Sequence, residues 1–520
     1  MARGYTQVAP FCAAWILALG ATTAQAQDRD SSAKETQSDQ AAQGSTSATV
    51  EDIVVTARRT KETVQTAPLA ITAVNGEALE KDNITNLTQL QSHLPSVEFQ
   101  VATSIPIITI RGVGTYNAQA GVDPAVAYTV DGIFLSHPQA YPPVLVDIAR
   151  VESLRGPQGT LYGRNSNGGA INFLTNEPVL DKFSASAAIT YGAYNEFGSE
   201  LVLNAPLTES TALRIAFASN KHDGYYPFNY SNGDNWVGRI RLLIQPSDRF
   251  KMVTTVDRYS STNDGDGFDY CPAHTVNPLC AGHPFRPYTG LEARDPLDFN
   301  RLRTWGVYNQ IDLNLGSVVL TSLTSYRDNT FLSRQAQITT TVNQGFLQGV
   351  QSKTFSQEVR ISSSEHSPVK WIVGAYYTHE RGPGTEIFYA NGFNYFYSDP
   401  ILKAESKAVF GDVTVPLSSS VRLTGGLRYT DENKSAHGPM QFITDVTTNL
   451  TIDANFSTKR VTWKAGAEAD VGPDSLVYAN ISTGFKSGGV NQVPNVPGYQ
   501  TSYEPETITA YQLGSKNRLV

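Results

Sequence analysis

Beyond its first two dozen positions, no stretch of this 520-residue chain stays apolar for the ~20 residues that a membrane-crossing helix needs. Helical membrane spans are therefore excluded. Positive charge is also short: 40 Lys and Arg face 48 Asp and Glu, the net charge is −8, and no basic arm or stripe offers a nucleic-acid footprint. Methionine and cysteine number 3 each. Catalytic signatures are missing as well. The run Gly112-Val113-Gly114-Thr115-Tyr116-Asn117 starts like a dinucleotide fingerprint but carries Asn117 where the third glycine belongs. Residues 159–164 lack the Lys-Ser/Thr of a phosphate-binding loop, and neither HExxH nor GxSxG occurs. The pairs Glu365-His366 and His379-Glu380 fall at an expected turn and strand end, where solvated polar residues are ordinary. The expectation is a chain with no catalytic residue, no resident metal and no cofactor.

Aromatics are plentiful, with 25 Tyr and 22 Phe, which suits β-structure bearing aromatic belts. Residues 1–26 read as a secretory signal: Arg3 is the positive end, 11–20 the apolar core, and Ala24-Gln25-Ala26 the small-residue exit. Cys12 leaves with it. The other two cysteines, Cys271 and Cys280, bracket PAHTVNPL in a polar segment, and in an exported protein they read as a loop-closing disulfide worth roughly 2–3 kcal/mol. A metal site built from both thiols with His274 and His283 is the weaker alternative.

Residues 27–50 are rich in Ser, Ala, Gln, Asp and Thr and contain no aromatic residue, so they are expected to form a flexible leader. The leader runs into 51–57, EDIVVTA, a short β-branched strand suited to adding onto a partner's sheet edge. Further on, 148–178 (IARVESLRGPQGTLYGRNSNGGAINFLTNEP) packs Gly156, Gly159, Gly163, Gly168 and Gly169 into a run that permits tight turns and close backbone approach. With the shorter elements IRGVG (110–114) and VDGIF (130–134), this run closely resembles the plug domain of TonB-dependent outer-membrane receptors. On that resemblance Asp52, Ile53, Val54, Val55, Thr56 and Ala57 match the TonB box, which engages the energy-transducing protein TonB, and 58–180 forms the plug.

Within the plug segment, 69–74, 107–111 and 125–130 are strand candidates, and Asp131-Gly132 marks a hairpin. Helices are expected at 75–79 and 86–94, the latter from Leu87, Leu90 and Leu94 before Pro95. From about 181 to 520 apolar and polar residues alternate with period two, as in Val461, Trp463 and Ala465 against Thr462 and Lys464. Six short turns, near 206–210, 246–248, 316–317, 364–368, 416–420 and 472–475, alternate with long polar segments at 221–235, 261–301, 329–351, 381–404, 431–457 and 486–504. That sorting suits an antiparallel transmembrane β-barrel with periplasmic turns and extracellular loops. About fourteen strands are expected. The resembling receptors close at about 22 strands around a plugged lumen, and an unpaired edge cannot face lipid. The chain is accordingly read as a plug plus part of a barrel.

The resemblance implies TonB-driven active transport across the bacterial outer membrane, most often of a ferric siderophore, with cobalamin, saccharides and aromatic compounds as other family substrates. A passive porin or an adhesin is the alternative. The leader and plug are expected on the periplasmic side, with outer-membrane lipid around the barrel. Substrate contacts are expected from two plug loops: 115–123, with Tyr116 and Asn117, and 136–143, with His137 and Tyr141. Arg111, Asp131, Arg155 and Arg164 are plug charges that either latch plug to wall or satisfy local turns.

Overall fold

The computed structural model describes residues 53–56, 58–60, 62–102, 105–116, 119–225, 229–265, 298–338, 343–390, 393–443, 447–472 and 474–518. Ten short strands build the N-terminal part. They are β1 (Val54–Val55), β2 (Glu62–Thr63), β3 (Ile71–Asn75), β4 (Val97–Ala102), β5 (Ile105–Ile110), β6 (Val113–Gly114), β7 (Val126–Val130), β8 (Ile133–Phe134), β9 (Ile148–Arg155) and β10 (Gly169–Thr175). β3-β9-β10-β7-β8 form one mixed sheet, β4-β5-β6 a second, and among the described residues β1 pairs with β2 alone. The expected hairpin at Asp131-Gly132 joins β7 to β8; its two residues sit at φ 48° and 83°, as a primed two-residue turn requires.

Helix α1 (Gly76–Lys81) starts where the Asn75 side chain accepts from the Ala78 N–H. Helix α2 (Leu87–Leu90) is capped in the same way by Asn86 and tightens into a 3₁₀ turn, Gln91–His93, so the expected helix over 86–94 is shorter than its leucine spacing suggests. Leu87, Leu90 and Leu94 nevertheless all reach one core with Ile110, Tyr128 and Phe173. Aromatic stacking fixes its centre: Tyr128 lies between Tyr141 and Phe173, at 3.9 and 4.8 Å between ring centroids.

Among the described residues the remainder is one antiparallel sheet of fifteen strands, from Ser184–Gly192 to Glu506–Asn517, with a separate two-stranded pair, Gly489–Val490 and Ser502–Tyr503, lying between its last two strands in sequence. One of them, Phe393–Ser398, is a short insertion, leaving fourteen long strands, which agrees with the expected count. Within the described residues, the two outermost strands each have a single neighbour. The sheet reverses the usual sidedness of a soluble protein. Along Val421–Ile443 the inward residues Arg428, Thr430, Glu432 and Lys434 are buried, while Leu427 and Tyr429 on the other face are exposed. Polar side chains thus face the plug and apolar ones face outward, as a lipid-spanning barrel demands.

All six expected short turns are present, for example between Thr208 and Thr211 and between Ser247 and Phe250. On the opposite side three of the segments read as loops are largely strand. Val318–Ile338 and Asn343–Ser363 take up most of 329–351, and Lys370–Ala390 runs well into 381–404. Val421–Ile443 and Thr447–Gly472, with 23 and 26 residues, absorb almost all of 431–457. About ten residues cross a bilayer, so these hairpins project far beyond it. Above the lipid both faces of the sheet are wet, and the period-two signal fades although the ladder continues. The plug's glycine run meets this wall directly. A Cβ at Gly159 would lie 2.6 Å from the Thr483 carbonyl oxygen of the wall; Gly169 (φ 142°) instead serves the plug's own sheet, where a Cβ would lie 2.0 Å from the Leu154 carbonyl oxygen.

Candidate functional site

Three clusters carry the chemistry. The first surrounds the TonB-box-like strand. Val55 is 1% exposed and packs with Ala67, Leu69, Ile71, Ala127 and Leu154. The Thr56 N–H donates to Glu152 Oε1 at 2.8 Å, Arg150 Nε donates to the same oxygen at 2.8 Å, and Arg150 Nη2 donates to Thr56 Oγ1 at 3.1 Å. Asn172 Nδ2 donates to the other Glu152 oxygen at 3.3 Å. The buried Glu152 carboxylate therefore ties this strand to the plug's central sheet. Immediately after it Arg58 reaches the wall at Asp412 (3.7 Å) and donates to Thr414, and Arg59 reaches Glu358 (3.7 Å) while lying over the Tyr162 ring. Ile53, Val54, Val55 and Thr56 are thus docked onto the plug rather than held out on a free leader. Asp52 and Ala57 lie outside the described residues.

The second cluster joins plug to wall. Arg164 Nη1 lies 2.9 Å from Asp123 and 3.0 Å from Glu432 of the wall, and Lys434 Nζ lies 2.8 Å from Asp123. Lys434 also donates to the Gly488 carbonyl, and Ser487 Oγ donates to Glu432. Burial alone would raise the Asp123 pKa, but Lys434 and Arg164 outweigh it and hold the carboxyl well below its usual range. Of the four charges singled out from sequence, Arg164 belongs to this latch. Asp131 faces the wall at Tyr308 Oη (2.7 Å) and Arg241 (3.9 Å). Arg155 offers the wall its carbonyl, which accepts from Gln512. Arg111 is exposed and makes a turn at φ 53°. Sequence reasoning missed the bidentate pair between Asp147 and Arg214, at 2.6 and 2.7 Å, because the wall partner of a plug charge carries no local signal.

The third is a cavity of about 480 Å³ between the plug loop 114–122 and wall residues Lys486, Val490, Asn491, Gln492 and Tyr503. Tyr116, 62% exposed, lines it. Thr115 Oγ1, Gln492 Oε1 and Tyr503 Oη are buried there without a hydrogen-bond partner among the described residues, so the cavity presents unsatisfied polar atoms. Above it the inward face turns apolar: Val490 and Leu402 pack with Met440, Phe456 and Phe396. Phe346, Phe388, Phe396 and Phe442 then form one row across four neighbouring strands, with centroids 5.3–6.2 Å apart. The remaining expected contacts fall elsewhere. His137 is buried and hydrogen-bonded to wall Glu380, and Tyr141 is 3% exposed in the plug core. The structure places both in the interior and its seam with the wall, away from the cavity beside Tyr116; the polar wording of SHPQAYPP gave no sign that wall side chains cover it. Asn117, Cys271 and Cys280 lie outside the described residues, as do His274 and His283.

Two sequence profiles match, one described as "TonB-dependent Receptor Plug Domain" over residues 63–170, the other as "TonB dependent receptor-like, beta-barrel" over 148–519. The chain belongs to the TonB-dependent receptor family. It is 23% identical over 499 residues to the pesticin receptor of Yersinia enterocolitica, covering 89% of this chain and 67% of that one. A stretch of 107 residues is 35% identical to the metal-pseudopaline receptor CntO of Pseudomonas aeruginosa, 20% of this chain and 14% of that receptor. Among solved structures, the ferric yersiniabactin uptake receptor FyuA from Yersinia pestis superposes with a TM-score of 0.74 at 19% identity, over 87% of this chain and 70% of that one. The family is one of outer-membrane transport receptors.

Proposed function

We propose that this receptor imports a metal chelate, a ferric siderophore foremost, across the outer membrane, driven by TonB acting on 52–57 from the periplasmic side. One observation carries the reading: the cavity and the latch share backbone. Val122 lines the cavity while the adjacent Asp123 binds Arg164 and Lys434, and Lys486 lines it while the adjacent Ser487 binds Glu432. A ligand that displaces 119–122 or 486–492 therefore disturbs the charges holding plug to wall, and strand capture at 52–57 pulls on the same plug through Glu152. The cavity lies within the usual volume of a small-molecule site. The names of the relatives, receptors for metal or iron complexes, support the substrate class.

The test is uptake of radiolabelled ferric chelates by cells carrying the receptor. Deleting 51–57 is expected to abolish energy-dependent uptake and leave surface binding intact. Unchanged uptake would favour passive permeation and refute the reading. Tyr116→Ala is expected to weaken chelate binding without affecting stability, because the ring is exposed.

A further inference from the structure

The apolar inward face above the cavity is interrupted by one polar row. Directly beneath Phe346, Phe388, Phe396 and Phe442, the cross-strand neighbours are Gln348, Glu386, Ser398 and Met440. Glu386 is 8% exposed and lies on the same side of its strand as Glu380, which bonds plug His137, so it points into the lumen. It has no hydrogen-bond or ion-pair partner among the described residues. Ser398 Oγ, opposite Glu386, and both amide atoms of Gln335, opposite Phe346, are likewise buried without a partner among the described residues.

Burial raises the Glu386 pKa, and no neighbouring cation counters it. A buried carboxylate without a partner is unfavourable, and a cation that enters with a ligand relieves it. The rings beside it suit such a guest. Phe388 stands two residues above Glu386 on the same face, with the Phe346 and Phe396 rings at 6.2 and 5.5 Å, and aromatic faces attract cations. A bare metal ion is the poorer occupant, because no three metal-ligating side chains gather anywhere among the described residues. The row also adjoins the cavity. A Cβ at Gly384, two residues below Glu386, would lie 2.9 Å from the Ala120 Cβ, and Ala120 lines the cavity. Glu386 thus stands about 7 Å, two strand residues, above the plug loop that carries Tyr116.

We infer that Glu386 selects a chelate carrying a protonated amine, held by the carboxylate and the phenylalanine rings while its metal-bearing part fills the cavity beside Tyr116. The inference rests on the receptor importing metal chelates and names the kind it prefers.

The experiment measures binding of ferric hydroxamate, catecholate and carboxylate chelates to the purified full chain in detergent, each chelate with a free amine and with that amine acetylated. The amine form is expected to bind about thirtyfold more tightly, as one charge-assisted hydrogen bond in a buried site provides. Glu386→Gln should abolish that preference by weakening the amine form alone, a split that a purely structural role for Glu386 would not give. Phe388→Leu should reduce the preference in part. Glu209→Gln, at an exposed turn on the other rim, should behave as wild type, and heat-modifiable gel mobility verifies that each variant is folded. Equal binding of the two forms, or a preference that survives in Glu386→Gln, overturns the site while the receptor still binds chelates. Binding of no chelate in the panel refutes the metal-chelate reading and this inference with it.

Discussion

Of the charged contacts that fasten plug to wall, the latch around Asp123 and the pairs made by Arg58 and Arg59 are built differently. At the cavity end, Arg164, Asp123, Glu432 and Lys434 are all nearly sealed from solvent, and three of their contacts are 3.0 Å or shorter. At the box end, Arg58 and Arg59 reach Asp412 and Glu358 at 3.7 Å, with side chains somewhat more exposed, from a turn following a two-residue strand. Deep, short, multiply bonded pairs resist separation, while long pairs beside a minimal strand yield first. A pull on the box should therefore loosen the lower fastening before the upper one. Removing a side chain at each level tests this ordering.

The largest effect is expected at Glu432. Glu432→Ala strands Arg164 and Lys434 with Asp123 as their remaining acidic partner in a sealed site, and losing one partner of a buried pair costs about 3–5 kcal/mol. Plug resistance to protease and the thermal midpoint should both fall clearly, with Arg164→Met/Glu432→Leu recovering part of the loss. A wild-type midpoint in Glu432→Ala would remove the upper fastening from the account.

Glu152 should follow. Glu152→Gln keeps an acceptor for the Thr56 N–H but loses the charge facing Arg150, and hydrogen bonds to charged groups are worth about 1.5–3 kcal/mol. A spin label at position 54 should become mobile in the variant while the thermal midpoint stays near wild type. An immobile label would show that packing of Val55, not Glu152, holds the strand.

Much of this arrangement was legible in the chain, and the illegible parts share a physical cause. The glycine run could be read because the plug approaches wall backbone where no side chain fits, as at Gly159. EDIVVTA could be read as a strand, but its docking depends on Glu152 and Arg150, which belong to a distant strand. Arg164 stood out as a charge; its partners Glu432 and Lys434 look in sequence like any polar residues of a barrel strand. The cavity needed 486–503 folded over 114–122, and no local period reports such a meeting. His137 shows the same limit, since only the wall strand carrying Glu380 makes it interior.

That histidine gives the smallest effect and sharpens the contrast by pH. His137 and Ser136 both donate to Glu380, Thr354 donates to the same carboxylate, and Asp123 and Arg164 are the nearby charges. Burial alone would lower the imidazole pKa; the Glu380 carboxylate outweighs it and raises the pKa above the ordinary 6.5. A group whose folded-state pKa is raised stabilises fully below its unfolded value and loses that contribution as pH rises through the folded value. The plug–wall seam should therefore weaken from about pH 6.5 upward, visible as a falling thermal midpoint or increasing protease nicking of the plug. His137→Gln retains a hydrogen-bond donor but cannot titrate, so its profile should be flatter over that window. Glu432→Ala leaves the contact between His137 and Glu380 in place and should keep the wild-type slope beneath its lower midpoint. An identical slope in His137→Gln would locate the titrating group elsewhere and leave the two fastenings distinguished by burial and distance alone.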